Sequence, residues 1–95
     1  MNKIKIKSKE LVDKLIEKKL KITSAESCTG GLFAYSITSI SGSSGCFEGS
    51  FVTYSNEIKN KIINVKKETL SNFGAVSKEC VIEMAENSWK IMNAG

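Results

Sequence analysis

Two stretches of this sequence concentrate the groups that can do chemistry. The first is AESCTGG, Ala25 to Gly31, which joins an acid, two hydroxyls, a thiol and two glycines ahead of an apolar run. The second is SGSSGCFEGSFVTYSNEIK, Ser41 to Lys59, which arranges serines, a tyrosine and a lysine around a β-rich segment. The chain has no histidine, so a Ser–His–Asp relay is excluded. An activated serine must take lysine or tyrosine as its base. Ser43 and Ser44 lie in a glycine-flanked loop where a hydroxyl can meet a substrate carbonyl. Tyr54 follows at the far end of the next strand, and Lys59 in the first turns of the helix after it. For Lys59 to accept a proton it must spend time neutral, which calls for desolvation or a nearby cation. The alternative is a solvated helix lysine beside an ordinary loop.

The AESCTGG turn, set between a strand and a helix, presents free backbone N–H groups and the positive end of a helix dipole, a setting for phosphate or carboxylate. Ser27 and Thr29 add hydroxyls. No GK[ST] follows the glycines, so this is not a Walker loop. Its structural alternative is a capped helix start with tight strand–helix packing. Cys28 stands where helix N-termini lower thiol pKa values, yet it lacks a histidine partner and reads as a small buried hydrophobe. FGAVSKE, Phe73 to Glu79, reads as a helix stop and a new cap at Ser77, with no site.

The elements that must position these groups follow from periodicity. SKELVDKLIEKKL places Leu11, Val12, Leu15, Ile16 and Leu20 on one helical face, with Ser8 as its N-cap. KITSAE is a short strand ending near Ala25. Thr29 caps a second helix carrying Phe33, Ile37 and Ile40, and Ser39 to Gly45 is a loop. CFEGSFVTYS alternates, with Phe47, Gly49, Phe51 and Thr53 on one side and Val52 and Tyr54 on the other. Ser55 or Asn56 caps a helix bearing Ile58, Ile62 and Ile63. A short helical turn then stops at Gly74, and a last helix from Ser77 presents Val81, Ala85, Trp89 and Met92. The order α-β-α-loop-β-α-α predicts one layered α/β domain over residues 1–95. Two strands alone are hard to stabilise, so a neighbour is expected from a second subunit or a larger domain.

Composition removes several classes. The net charge of +4 comes from lysines without a single arginine, dispersed rather than clustered with aromatics, which argues against nucleic acid. No run approaches a membrane span of roughly 20 apolar residues, and no signal-peptide pattern opens the chain. Cys28, Cys46 and Cys80 are widely spaced with no CxxC pair, so neither a disulfide framework nor a metal site is expected. A reduced, cytoplasmic setting follows as the expectation.

In their order and spacing, SAESCTGG, SGSSGCFEGSFVTYSNEIKNKIINV and GAVSKECVIEMAENS resemble the C-terminal domain of the CinA competence/damage-inducible proteins, a domain that also occurs alone as the PncC-type nicotinamide-nucleotide amidase. The match covers nearly everything from Ile22 onward. The resemblance implies an αβα sandwich that hydrolyses the carboxamide of nicotinamide mononucleotide to nicotinate mononucleotide and ammonia, with no cofactor and no metal. It implies a catalytic group of Ser44, Tyr54 and Lys59, with Ser43 as the second choice of nucleophile. Ser27, Cys28, Thr29, Gly30 and Gly31, with Ser43 and Asn56, are then the substrate contacts. Ser44 attacks the carboxamide carbon, neutral Lys59 takes its proton, Tyr54 relays a proton or holds Lys59, and backbone N–H groups stabilise the oxyanion.

The family's domains run to roughly one and a half times this length, within ordinary domain sizes. WKIMNAG stands where the family continues into a central strand, a TGIAGP-like glycine loop and a basic residue suited to phosphate. The chain is therefore expected to be the N-terminal part of that domain. Two functions follow: an amidase, or a non-catalytic module that binds a nucleotide or self-associates. A homo-oligomer is expected in either case, burying the open sheet edges.

Overall fold

The computed structural model describes residues 2–93. Helix α1 runs Asn2–Glu17, starting well before the first helical residue, Lys9, that a Ser8 cap predicts. The NKIKIK opening contains no breaker, and lysine propagates helix well, so the helix extends through it. Ser8 is consequently a mid-helix residue, and it is buried because it shares a face with Val12 and Leu15, one and two turns on. Lys19, in the left-handed region at φ 57°, ends the helix, and Leu20 N–H donates to Leu15 O at 2.9 Å, a Schellman-type closure.

Strand β1 is Ala25–Glu26 and strand β2 is Phe51–Val52; they pair in parallel with Ala25 opposite Phe51 and Glu26 opposite Val52. The alternating segment around β2 keeps its two sides, with Thr53 buried and Val52 and Tyr54 exposed. Between the strands lie helix α2, Leu32–Thr38, and a 3-10 turn at Ser43–Gly45. After β2 come α3, Asn56–Ile63; α4, Lys67–Phe73; and α5, Lys78–Met92.

Side-chain alternation along β1 sorts the helices into layers. Ala25 points into a cluster of Ile63, Val65, Cys80 and Met84 from the α3–α5 side. Glu26 points the other way and reaches the first turn of α2. On that side Val12, Ile37, Ile40, Cys46 and Phe47 form a second cluster between α1 and α2. The architecture is α/β, as expected.

Two of the expected caps hold, those of α3 and α5. Ser55 caps α3, accepting the Ile58 N–H, and Ser77 caps α5, accepting the Cys80 N–H. Gly74, at φ 85°, stops α4. Two expected faces are displaced by one position. Helix α3 buries Lys59 and Ile63 and leaves Ile58 and Ile62 partly in solvent. Helix α5 buries Cys80, Met84 and Ser88, while Val81 and Trp89 stay exposed. Helix α5 carries a broad apolar stripe, and the half at positions 81, 85 and 89 faces a groove along β1.

Candidate active site

Lys59 is the most unusual residue of the molecule. It is only 2% exposed, against the ordinary fate of lysine at a surface. Its Nζ donates to Thr53 O at 2.8 Å, to Ser27 Oγ at 3.2 Å and to Tyr54 O at 3.4 Å. Three acceptors thus meet the three protons of an ammonium, which removes the solvated-lysine alternative. Two of them are backbone carbonyls at the end of β2. The third is the hydroxyl of the residue immediately after β1.

That hydroxyl lines a cavity of about 450 Å³ with Cys28, Thr29, Phe33, Ala75, Val76, Val81 and Met84 among its walls. The site is therefore at the carboxyl ends of the parallel strands, where open α/β sheets place their ligands. The turn that brings Ser27 there depends on Gly30 and Gly31, at φ 62° and 99°, backbone conformations that side chains disfavour.

The N–H groups of α2 are not free for a ligand. Glu26 is buried, and its carboxylate accepts Phe33 N–H at 2.9 Å and Ala34 N–H at 3.1 Å, with the Thr29 hydroxyl at 2.9 Å and the Ser24 hydroxyl at 3.3 Å. Burial pushes the Glu26 pKa up, but these four donors outweigh it and hold the carboxyl below the usual carboxylate range. Thr29 is accordingly not the cap of α2. Gly31 occupies the cap position and the Glu26 side chain does the capping from within the fold. Cys28, expected as a buried hydrophobe, is exposed. Cys80 is buried, and burial raises its thiol pKa, with the Lys59 charge opposing that shift and Glu83 adding to it.

Of the remaining expected site residues, Tyr54 meets Lys59 through its backbone carbonyl alone, and Ser43, Ser44 and Asn56 make no hydrogen bond to it. Ser44 is exposed on the 3-10 turn and Ser43 is buried in it. That turn sits at the opposite ends of the strands, where Cys46 O accepts the Ile22 N–H at 2.8 Å. The strand path from Ile22 to Ser27 spans five residues, about 16 Å at strand rise. Tyr54 contributes its carbonyl to Lys59, while its side chain is 78% exposed. Asn56 lines a separate cleft between α3 and α4 with Asn60, Lys61 and Lys67. The available signal was topological: in a parallel pair, the residues following each strand share one edge, which joins Ser27 to the Thr53–Tyr54 corner.

A small α/β domain with a serine–lysine pair at the carboxyl ends of its parallel strands is the class these features define. The chain belongs to the CinA C-terminal domain family, whose model matches residues 5–95. It is 58% identical over 80 residues to a CinA-like protein of Endomicrobium trichonymphae, covering 84% of this chain and 19% of that protein. It is 53% identical over 75 residues to the Protein MG115 homolog of Mycoplasma pneumoniae, covering 79% and 48% respectively. Among solved structures, a CinA superfamily protein of Escherichia coli superposes with a TM-score of 0.92 at 32% identity, covering 96% of this chain and 53% of that one. The competence/damage-inducible protein CihA of Agrobacterium tumefaciens gives 0.89 at 36% identity, with 96% and 54% covered. The chain thus spans about a fifth of the length of the CinA-like relatives and about half of the solved chains. No helix among the described residues is long and apolar enough to cross a membrane.

Proposed function

We propose that this chain carries the hydrolytic centre of a nicotinamide-nucleotide amidase, with Ser27 as nucleophile and Lys59 as its base. The observation that carries the reading is the 3.2 Å contact between Lys59 Nζ and Ser27 Oγ inside a cavity wall. It favours Ser27 over Ser44, which the sequence motif alone suggests.

The chemistry follows from the arrangement. Two carbonyls, Thr53 O and Tyr54 O, orient the Lys59 amine. When Lys59 is neutral, two N–H bonds stay on those carbonyls and the lone pair faces the Ser27 hydroxyl. Ser27 Oγ adds to the carboxamide carbon as its proton passes to Lys59. The tetrahedral oxyanion is met by turn N–H groups such as those of Cys28 and Thr29, each donor worth about 3 kcal/mol in comparable sites. Collapse breaks the C–N bond, Lys59 returns the proton to the departing nitrogen, and ammonia leaves. Water then gives its proton to Lys59 and adds to the Ser27 ester, releasing the carboxylic acid and restoring both side chains.

The apolar walls, Phe33, Ala75, Val76, Val81 and Met84, suit a flat ring such as nicotinamide. Because Glu26 occupies the start of α2, the substrate phosphate is not seated there. The family resemblance assigns that contact to a basic residue of the longer domain. A second reading, a module that binds a nucleotide without turnover, is kept because the chain spans about half the length of the solved family members. Ammonia release from nicotinamide mononucleotide by the purified chain separates them. Ser27→Ala and Lys59→Ala are each expected to lower the rate by ~10³-fold or more, with Ser44→Ala near wild type. Loss of activity on Ser44→Ala with Ser27→Ala unaffected overturns the assignment, and binding without ammonia supports the second reading.

A further inference from the structure

Glu26 takes no part in the bond-making steps above, yet it ties together the segments on both sides of Ser27. It precedes Ser27 in the chain. Its Oε1 accepts from the Thr29 hydroxyl and Phe33 N–H, and its Oε2 from Ala34 N–H and the Ser24 hydroxyl. Those four donors come from the strand before Ser27, the turn after it and the helix beyond. Its own carbonyl accepts Thr53 N–H at 2.8 Å, and Thr53 O is the shortest of the Lys59 contacts. One residue therefore couples the turn carrying the hydroxyl to the strand end that orients the amine. The turn needs such a tie, since Gly30 and Gly31 provide conformational freedom and no restraint.

We propose that Glu26 is a positioning residue that holds Ser27 Oγ on Lys59 Nζ; this rests on the reading of Ser27 and Lys59 as the reacting pair. An ionised carboxylate is required for the task. Each oxygen receives one backbone N–H and one hydroxyl, so a glutamine in either orientation turns its NH₂ onto a backbone N–H that can only donate, while the hydroxyl on that side must reverse. An aspartate is one methylene short of α2. Displacing a reacting atom by ~1 Å costs on the order of 100-fold in rate, so a small relaxation of the turn is enough to be read kinetically.

The experiment uses Glu26→Gln and Glu26→Ala in the full chain, with Val12→Ala as a control. Val12 lies in the α1–α2 cluster, against which Phe33 and Ala34 also pack, and its side chain makes no hydrogen bond, so its truncation lowers stability without removing a polar contact of Glu26, Ser27 or Lys59. Both Glu26 variants are expected to lose roughly 10–100-fold in kcat with KM changed less than about threefold, and added formate, filling the space left by Glu26→Ala, restores kcat. Thr29→Ala, which removes one of the four donors, keeps the test open if the Glu26 variants do not fold, with a loss of roughly 3–10-fold expected. A kcat loss no greater than that of Val12→Ala at matched melting temperature, or no response to formate, overturns the proposal. The Lys59 side-chain nitrogen resonance reads the same contact without turnover. Should the wild-type chain release no ammonia, the amidase reading fails, while a Lys59 shift in Glu26→Gln and not in Val12→Ala still supports positioning, and an unchanged resonance overturns it.

Discussion

Lys59 and the two carboxylates Glu26 and Glu83 show how charge is held at residue scale in so small a core. Lys59 and Glu26 are surrounded by complementary dipoles: Lys59 by two carbonyls and a hydroxyl, Glu26 by two N–H and two O–H groups. Glu83 accepts Lys66 N–H at 2.9 Å and the Thr69 hydroxyl, and so caps α4 from α5. The Lys66 N–H and the Thr69 hydroxyl, aided by the Lys66 charge, hold the Glu83 carboxyl below its usual range in spite of partial burial. Both acids are therefore more acidic folded than unfolded. Their stabilisation is complete above the unfolded carboxylate pKa of about 4.3 and is lost as pH falls through the folded values. The melting temperature is expected to be flat from neutral pH to about 5 and to fall below about 4. Glu83→Gln should flatten that acid limb, and a limb unchanged by the substitution removes Glu83 from the account. Ser27 itself was legible as a hydroxyl in a turn. Its contact with Lys59 was not, because that requires knowing that β1 and β2 run parallel and end together.

Among the helix starts, those of α3 and α5 were legible in the sequence, whereas the Ser8 and Thr29 caps did not hold. Ser55 and Ser77 each accept the N–H three residues on, and Ser→Ala at either position should cost about 1 kcal/mol. In a domain of this size that lowers the melting temperature by roughly 4–8 °C, and thermal denaturation monitored by circular dichroism measures it. Gly31 is a more severe test, since a Cβ there would sit 3.5 Å from Val52 Cγ2 in open van der Waals contact while φ is 99°. Backbone strain, not a clash, is what Gly31→Ala introduces, and a loss of about 1–2 kcal/mol is expected. Because the strain falls on the turn carrying Ser27, turnover should fall along with stability. Helix faces were less legible than caps. Periodicity gave Ile58, Ile62 and Ile63 as the apolar residues of α3; Ile63 is buried, but the other buried position went to Lys59, whose long apolar stem fills the core while its head finds carbonyls. The start of α1 was missed because Ser8 offered a cap, while the exposed Ile–Lys opening before it has no breaker and carries the helix on by propensity.

At the scale of the whole molecule the sheet is the unfinished part. The radius of gyration is 14.2 Å, against about 12 Å for a compact chain of this length. Ser24 and Glu26 give their carbonyls to β2. Strand alternation therefore turns the N–H and C=O groups of Thr23 and Ala25 to the outer edge of β1, where they have no partner among the described residues. Alongside that edge runs a groove of about 350 Å³ lined by Ile22 to Ala25 and by Val81, Ala85 and Trp89 of α5. The buried Ser88 hydroxyl, also in this wall, has no hydrogen-bond partner either. Lys21, the one charged residue of the groove, is already paired with Glu48 at 2.7 Å, so two such faces can meet without opposed charges. A two-fold axis at Ser24 would set Thr23 opposite the second copy's Ala25 in an antiparallel ladder, and two strands would become four, enough for a stable sheet. The 95-residue chain is thus expected to associate in a concentration-dependent manner, seen by sedimentation equilibrium, with the Thr23 and Ala25 amides protected from hydrogen exchange. Ala85→Lys, which brings like charges together across the axis at an exposed helix position, should weaken the dimer at least tenfold while leaving helix content intact, a loss of about 1.4 kcal/mol. A chain that stays monomeric, or a dimer indifferent to Ala85→Lys, would show that the bare edge of β1 is not where copies meet.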